Sequence, residues 1–415
     1  MKKTIKLAVV AALALGATSA FATNGSALIG MGAKSRGMGG VGIGMSHGAE
    51  SALSNPALIT DVKGTQISFG GTLFMPNVKN SMGIESKSDS DLSVIPEVSI
   101  ASQVTENFYM GVGMWGTAGM GVDYRTDAAN FNMVTNLQLM QFGVPLAYKM
   151  GGLSIGVTPI LQYGSLDIDY SGVLDVSNVY GPGATAEVGS NGGVSQDLKF
   201  GYNIGISYEI ADLTIGAVYK SEIEMEYTGQ MSAASRPFAN FGMFGGVPLS
   251  DKLSTPAEIG IGASYKMGAS TIAMDVKQIQ WGSAEGYKDF KWEDQNVVAL
   301  GYEYDADSWA LRVGYNYASN PIKEQAAAVG PDATGSAINM FNLLGFPGIV
   351  ESHYTIGGSF DISKTTSVDL AYAYAPEVTE TYTTAGFAGF GAANPTSITT
   401  KHSQTSLSAQ VNFKF

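Results

Sequence analysis

Three histidines, one glycine-spaced motif and a few inward-facing charges are the groups of this 415-residue chain with chemistry to offer. His47, His353 and His402 are dispersed, the first in a glycine-rich N-terminal stretch and the others at expected loop ends. Nucleophilic catalysis needs a Ser or a carboxylate held beside a His, and none of the three sits in such a motif, so no catalytic residue and no enzyme activity is expected. The chain has no Cys, which removes thiolate nucleophiles, disulfides and Cys-ligated metals; with three scattered His, neither a metal site nor a cofactor is expected. Gly37-x-Gly39-x-x-Gly42 matches the dinucleotide fingerprint literally. It follows no strand and opens no βαβ unit, so it reads as closely packed, flexible backbone instead. Lys277 and Arg312, with Asp275 and Glu258, share the inward parity of their segments. They suit either a carboxylate headgroup or an internal network of ion pairs.

The elements that must position these groups are strands. Charged residues are only 14% of the chain and Gly is 53 of 415, against roughly 25% and 7% in soluble domains. No apolar run past the N-terminus approaches the roughly 18 residues of a membrane-spanning helix. At the N-terminus itself, Lys2, Lys3 and Lys6 precede an apolar stretch from Leu7 to Gly16 and the small-x-small site Ala20-Phe21-Ala22. This is the pattern of a secretory signal peptide over 1–22. Its removal leaves 20 basic against 36 acidic side chains, a net −16, so no nucleic-acid footprint is expected.

Segments of about ten residues alternate large apolar with small or polar residues, as half-buried strands do. Leu407, Ala409, Val411, Phe413 and Phe415 share one face, opposite Ser406, Ser408, Gln410, Asn412 and Lys414. The same pattern runs through 198–210, 309–317 and 368–375. The opposite face mixes Gly, Ser, Asn and isolated charges, as a wet or ligand-holding lumen would, and Tyr and Trp gather near segment ends. The large face is therefore read as looking outward to lipid. Fourteen such segments are expected, at 65–76, 91–103, 107–119, 137–149, 153–170, 196–210, 213–229, 255–266, 270–281, 295–304, 308–318, 353–362, 366–376 and 404–415. Connections of two or three residues alternate with long ones (77–90, 120–136, 171–195, 230–254, 282–294, 319–352, 377–403). Short periplasmic turns against long extracellular loops mark a bacterial outer-membrane barrel. Closure is required, because hydrocarbon cannot satisfy a free sheet edge. The fold class is thus all-β: a 14-stranded transmembrane antiparallel β-barrel over 64–415. Residues 23–63 do not alternate, and a barrel this wide cannot fill its lumen with its own side chains; they are expected to plug it.

Asn55-Pro56-Ala57-Leu58-Ile59-Thr60 resembles a motif of the outer-membrane transporters for hydrophobic compounds, of the long-chain fatty-acid (FadL) and toluene (TodX) type, whose plug ends in Asn-Pro-Ala just before the first strand. Similar stretches follow in order: Thr255-Pro256-Ala257-Glu258-Ile259-Gly260 onward to Tyr265, Ala273-Met274-Asp275-Val276 leading to Trp281, Trp309-Ala310-Leu311-Arg312-Val313-Gly314-Tyr315 followed by Asn320-Pro321, and His353-Tyr354-Thr355-Ile356-Gly357-Gly358. The resemblance runs from about residue 24 to 415. It implies an N-terminal hatch with Asn55, Pro56 and Ala57 as its motif, capture between extracellular loops, an internal apolar pocket, and sideways release through a gap at a kinked third strand. Where members of that family often carry Pro-Phe-Gly, this strand reads Met114-Trp115-Gly116-Thr117-Ala118-Gly119. Its glycines Gly111, Gly113 and Gly116 are expected at the gap, since Gly weakens a ladder or marks a bulge.

Three long loops are apolar for segments that face water: Phe238, Phe241, Phe244 in the first, Phe341, Leu344, Phe346 in the second, Phe387 and Phe390 in the third. Contiguous exposed apolar surface marks an interaction site. Phe238, Phe241, Phe244, Phe341, Leu344, Phe346, Lys277 and Arg312 are therefore the expected substrate contacts; the alternative is that the loops fold over one another and cap the barrel. The expected partners are a hydrophobic small molecule, outer-membrane lipids and lipopolysaccharide, and the barrel-assembly machinery during biogenesis, with the barrel a monomer. The rival functions are a general diffusion porin and a structural or adhesive barrel. Fatty acids, alkanes and monoaromatic hydrocarbons all suit an apolar lumen.

Overall fold

Fourteen antiparallel strands run around one closed ring in the computed structural model, which describes residues 23–328 and 333–415. The expected signal peptide falls outside the described residues. The strands are β1 Thr65–Ser81, β2 Ser93–Gln103, β3 Phe108–Asp123, β4 in two pieces (Val134–Gly143 and Leu146–Met150), β5 Leu153–Asp175, β6 Ser195–Ile210 and β7 Leu213–Lys220. They continue as β8 Glu258–Met267, β9 Ser270–Ile279, β10 Gln295–Asp305, β11 Trp309–Ala318, β12 Ser352–Ser363, β13 Thr366–Thr383 and β14 Ser397–Lys414. Each pairs with its neighbour in sequence, and β14 closes on β1 from Thr399↔Ser81 to Lys414↔Gln66. The seam is finished by Phe415 N–H donating to Thr65 O at 2.9 Å, and Thr65 N–H to Phe415 O at 3.0 Å.

Alternation decides which side chain meets which medium. Ile206, Ile261, Leu300, Val313, Ile356 and Leu407 face out and are exposed, whereas Thr72, Thr158, Gln162, Asn203, Asn316 and Gln410 face in and are buried. The tight turns lie at one end, with left-handed backbone at Gly151, Ala211, Gly268 and Asp307. An aromatic rim of Tyr208, Tyr265, Tyr304 and Trp309 stands near them on the outer face. No helix among the described residues is long and apolar enough to cross a membrane; the strands are the crossing elements.

The expected strands differ from the observed ones in instructive ways. Several are longer at the wide-loop end, where β1, β3, β5, β13 and β14 stand up beyond the bilayer as hairpins. The fourth is interrupted at Val144-Pro145, because Pro has no N–H to give the ladder. The seventh, expected to run to residue 229, ends at Lys220. Alternation continues past it with its phase inverted: Ile223, Met225 and Tyr227 turn inward and are buried, while Glu222, Glu224 and Glu226 are exposed. Above the bilayer the outer surface meets water, so the acidic side faces out and the apolar side roofs the lumen.

The outward assignment makes a direct prediction. Leu300→Arg, at the middle of β10, should destabilise the barrel by about 2–4 kcal/mol, the cost of a cation at mid-depth. Urea titration of folding into lipid vesicles measures it; an unchanged midpoint would contradict the lipid-facing reading.

Candidate functional site: the filled lumen and the open ladder

The N-terminal residues lie inside the ring and bond to its wall on nearly every side. Thr23–Asn24 pairs with Ala27–Leu28, α1 spans Gly32–Gly37, and short helical turns follow at Gly48–Glu50, Ser51–Ser54 and Pro56–Asp61. Such a segment buries backbone N–H and C=O groups that need partners, and inward-facing polar side chains supply them. Gly39 N–H donates to Thr355 Oγ1 at 2.9 Å, and Asn316 Nδ2 donates to Gly39 O at 2.9 Å. The Asp275 carboxylate accepts from the amides of Gly42 and Ile43 at 2.7 and 2.8 Å and from Gly44 at 3.4 Å. Across the lumen Arg36 pairs with Glu97 of β2 and donates to Thr72 Oγ1 at 2.7 Å. The glycine motif is thus occupied by the barrel wall: the Gly39 amide is taken by Thr355 and the Gly42 amide by the Asp275 carboxylate.

Asn55, Pro56 and Ala57 form another of these attachments. Asn55 Oδ1 accepts from Ala57 N–H at 3.1 Å, capping the turn, while its Nδ2 donates to Ile43 O at 2.8 Å and Ile206 O at 3.2 Å. One side chain therefore ties two parts of the segment to β6. The wall makes room for it: a Cβ at Gly205 would sit 2.0 Å from Asn55 Oδ1, and one at Gly156 2.5 Å from Ala57 N. Glycine is the residue that admits such close backbone approach.

The wall is not hydrogen-bonded all the way up. β2 and β3 pair from Gln103↔Tyr109 to Glu97↔Trp115 and no further, although β2 continues to Ser93 along β1 and β3 continues to Asp123 along β4. Residue 96, just above the last pair, is Pro. β3 slips register against β4 between Gly116 and Ala118, and its residues 115–122 are buried on both faces, so the strand bends in from the wall. Its free edge is taken from inside: Ala27 bridges Ala118, and Gly119 N–H donates to Ser26 O at 3.1 Å. Of the expected gap residues, Gly111 and Gly113 lie in the paired part, opposite Ala101 and Ser99, and only Gly116 borders the slit. There a Cβ would stand 2.7 Å from Ile95 Cγ2. Trp115 floors the slit, with Nε1 donating to Ser99 Oγ at 2.8 Å.

Beside the bent strand lies an internal cavity of about 80 Å³ whose lining includes Leu28, Met31, Leu137, Leu139, Ile223 and Trp281. Its charged side is Lys277 and Lys220 on one carboxylate, with Nζ to Glu258 oxygens at 3.0 and 2.8 Å. Lys220 was not expected from sequence; the alternation of 213–220 puts it on the side of Gly216 and Val218, and that parity was the available signal. Arg312 is not with them. It pairs with Glu303 Oε2 at 2.6 Å and donates to Ser359 Oγ at 2.6 Å, in a polar cleft with Lys34, His47, Asp61 and Lys63 near the tight turns.

The loop residues also sort differently from expectation. Phe238, Phe341 and Leu344 are fully covered and Phe346 nearly so. Phe238 stacks on Tyr170 and Phe387 at 6.2 and 6.1 Å and meets Phe341 edge-on at 5.4 Å. They make a roof, not an exposed patch, because three loops bury their apolar residues against one another. Phe241 packs edge-on with Phe390 at 5.6 Å and lines a surface groove of about 440 Å³. That groove lies between α2 (Met231–Ala239) and the Thr185–Asn191 ribbon, with Glu187, Asn191 and Arg236 on its walls. Phe244 is half-buried against the roof. The histidine rings bond to Val41 O, Gln404 and Pro347 O, and burial holds His47 neutral, pushed down to about 3.

The family described as outer membrane protein transport protein (OMPP1/FadL/TodX) matches residues 7–333. Outer membrane protein P1 of Haemophilus influenzae is 22% identical over 397 residues, covering 80% of this chain and 83% of that protein. Among solved structures, a Pseudomonas aeruginosa FadL homologue superposes with a TM-score of 0.68 at 14% identity, covering 94% of this chain and all of that one. The Pseudomonas putida toluene transporter TodX gives 0.66 at 19% identity, covering 95% and 100%, and the Ralstonia pickettii toluene transporter TbuX 0.62 at 16%, covering 93% and 98%. At these identities the likeness is one of fold.

The Arg36–Glu97 pair tests how the segment is held. Arg36→Met leaves a buried carboxylate without its counter-charge, which costs about 3–5 kcal/mol. Amide exchange of residues 30–45 should accelerate sharply in that variant and recover largely in Arg36→Met/Glu97→Gln, with exchange in β8–β12 unchanged. Wild-type protection in the single variant would contradict the assignment.

Proposed function

The chain belongs to the OMPP1/FadL/TodX family of outer-membrane transport proteins and spans the bacterial outer membrane as a closed barrel, and from this premise we propose that it takes up hydrophobic small molecules through a hatch-controlled pocket that opens sideways. Cargo lands in the groove beside Phe241 and passes under the loop roof. It enters the cavity lined by Leu28, Met31 and Trp281, and leaves into the bilayer through the slit between β2 and β3. Residues 23–63 are the hatch, with Asn55, Pro56 and Ala57 as its anchored end. Phe238, Phe341, Leu344 and Phe346 act as the roof that cargo displaces, and Phe244 as its margin. Gly116 is the flexible lip of the exit, with Gly111 and Gly113 as the hinge below it.

The observation that carries this reading is the meeting of three features at one place. The ladder stops above Glu97↔Trp115, a hatch residue covers the bare edge at Ala118, and the cavity lies directly behind, with Ala27 and Ala118 both in its lining. An unpaired edge in hydrocarbon is costly, so an opening there needs a reason, and a dry lateral exit is one. Energetics point the same way. Each buried CH₂ contributes about 0.8 kcal/mol, so a long acyl chain held completely would gain on the order of 10 kcal/mol and be released slowly. The cavity of about 80 Å³ is also far below the roughly 300–1,000 Å³ of pockets that enclose larger ligands. Both the size and the release problem are met if residues 26–31, which form one side of the cavity, move.

An open diffusion porin would leave the lumen clear and swell sugar-loaded liposomes rapidly; here a filled lumen should give slow swelling.

Two experiments test the proposal. Ala27→Cys/Ala118→Cys puts a disulfide in a chain with no other cysteine, across a pair already in register. Oxidised cells should lose uptake of a labelled hydrophobic cargo by at least about tenfold and regain it on reduction; undiminished uptake by the oxidised form would overturn hatch movement. For the headgroup, Lys277→Met and Lys220→Met should each weaken binding of a fluorescent fatty acid, by about tenfold to a hundredfold given roughly 1.5–3 kcal/mol for one hydrogen bond to a charged group. Binding of the corresponding alcohol should not change. Arg312→Ala should leave both affinities alone, because that guanidinium lies in the separate cleft near the tight turns; a loss there and none at Lys277 would reverse the assignment.

A further inference from the structure

Glu50 ends the short turn Gly48–Glu50 and is 2% exposed, and neither of its carboxyl oxygens has a hydrogen-bond partner. It lies against the backbone of Gly32: a Cβ there would fall 1.7 Å from Glu50 Oε2. Gly32 has φ +78°, so both the space and the backbone at that position belong to glycine. On its other side Gly32 N–H donates to Glu97 Oε2 at 3.1 Å. Two carboxyl groups, Glu50 and Glu97, thus flank the first residue of α1.

Only one of them is balanced. The charged groups acting on Glu50 are Lys34, Asp369, Glu97 and Arg312, from α1, β13, β2 and β11. Arg36 is the other cation of α1, and His47, three residues away, is buried and neutral. Each nearby base already has an acid. Arg36 pairs with Glu97, Arg312 with Glu303, and Lys34 Nζ lies 3.7 Å from Asp369. Glu50 is the odd carboxyl of the cluster, and a buried unpaired carboxylate is far more costly than a neutral acid.

We propose that Glu50 is a proton-binding site that sets how firmly the hatch is docked: the protonated acid fits the closed lumen, and loss of the proton to water drives the segment off the wall. The claim rests on the reading that residues 23–63 move during uptake. Burial pushes the carboxyl up to about 8, while in a released, water-exposed segment it would return to about 4.3. The docked state therefore binds a proton that the released state lacks between these values. Docking is firm at low pH and weakens by up to about tenfold per pH unit from roughly 5 to 8. Above that it levels off, since both states are then ionised. Alkalinity loosens the hatch and acidity closes it.

The test is amide exchange of the full barrel in detergent at pH 5.5, 6.5, 7.5 and 8.5, compared with Glu50→Gln, which keeps the shape without the titration. Taking the ratio of the two proteins at each pH removes the intrinsic effect of pH on exchange. For residues 32–54 the ratio of wild type to variant should climb toward tenfold per unit between pH 5.5 and 7.5 and flatten by 8.5. Exchange in β8–β12 should give a constant ratio. Glu50→Met, an apolar side chain of similar length, should reproduce the slope if the buried amide of Gln perturbs the site. A ratio independent of pH against both variants overturns the proposal. The Ala27–Ala118 disulfide keeps the two ideas separable. A flat ratio with uptake still blocked by the disulfide removes the proton site alone, whereas a sloping ratio with unaffected uptake removes the moving hatch and leaves Glu50 as a determinant of docking.

Discussion

Every backbone N–H and C=O that enters the hydrocarbon must find a partner within the protein, and this constraint shapes the molecule more than any single side chain. It forces fourteen strands to close from β14 onto β1, and it makes any break in the ladder conspicuous. The break is where Pro96 stands, a residue unable to donate, above the last β2–β3 pair at Glu97↔Trp115. The chain does not leave the bare edge of β3 to lipid. It bends the strand inward, buries both of its faces from Trp115 to Val122, and gives the edge to Ser26 and Ala27. The break in the wall and the N-terminal segment that covers it are therefore one structural feature.

The second consequence is a lumen that needs filling. A segment of some forty residues with little regular structure exposes many polar backbone groups, and water cannot reach most of them. The wall answers with short polar side chains and with absent ones. Thr158, Asn203, Ser264, Asp275, Asn316 and Thr355 each bond the segment's backbone, and Gly156 and Gly205 let the Asn55 turn sit directly on the strands. The abundance of glycine and the low charge of the sequence follow from this arrangement as much as from the membrane. Buried charges need a counter-charge or hydrogen bonds: Arg36 has Glu97 and Asp275 has three backbone amides, whereas neither oxygen of Glu50 has a partner.

Much of this was legible in the residues. Period-two alternation found the strands, and loop lengths found the two ends of the barrel. The absence of alternation found the N-terminal segment, since each depends on local pattern alone. Asn55-Pro56-Ala57 is legible only through its resemblance to a family motif, and its attachment to β6 is beyond pattern because the partner is Ile206, 151 residues away. Composition leaves the apolar loop residues either open for capture or folded together as a cap. Three loops bury Phe238, Phe341 and Phe387 against each other, a tertiary outcome that composition cannot distinguish from exposure. Alternation persists past Lys220 and so predicts too long a seventh strand; the inversion of its polarity at Glu222-Ile223 is the visible sign that the chain has left the bilayer. Pro96 was the sign for the slit, more telling than the glycines of β3, which serve close packing at Gly111 and Gly113. Parity grouped Lys277 with Arg312, but parity gives a face and no height, and the two stand on opposite sides of the N-terminal segment.

A photoreactive alkyl probe, taken up by cells and activated during transport, reports the exit directly through the residues it labels. The account predicts labelling of Val94, Ile95 and Pro96 on β2 and of Gly116 and Ala118 on β3, which border the slit and the cavity behind it. Labelling confined to Lys34, Asp61 and Lys63, in the polar cleft by the tight turns, would show cargo passing straight through to the periplasm and would contradict it.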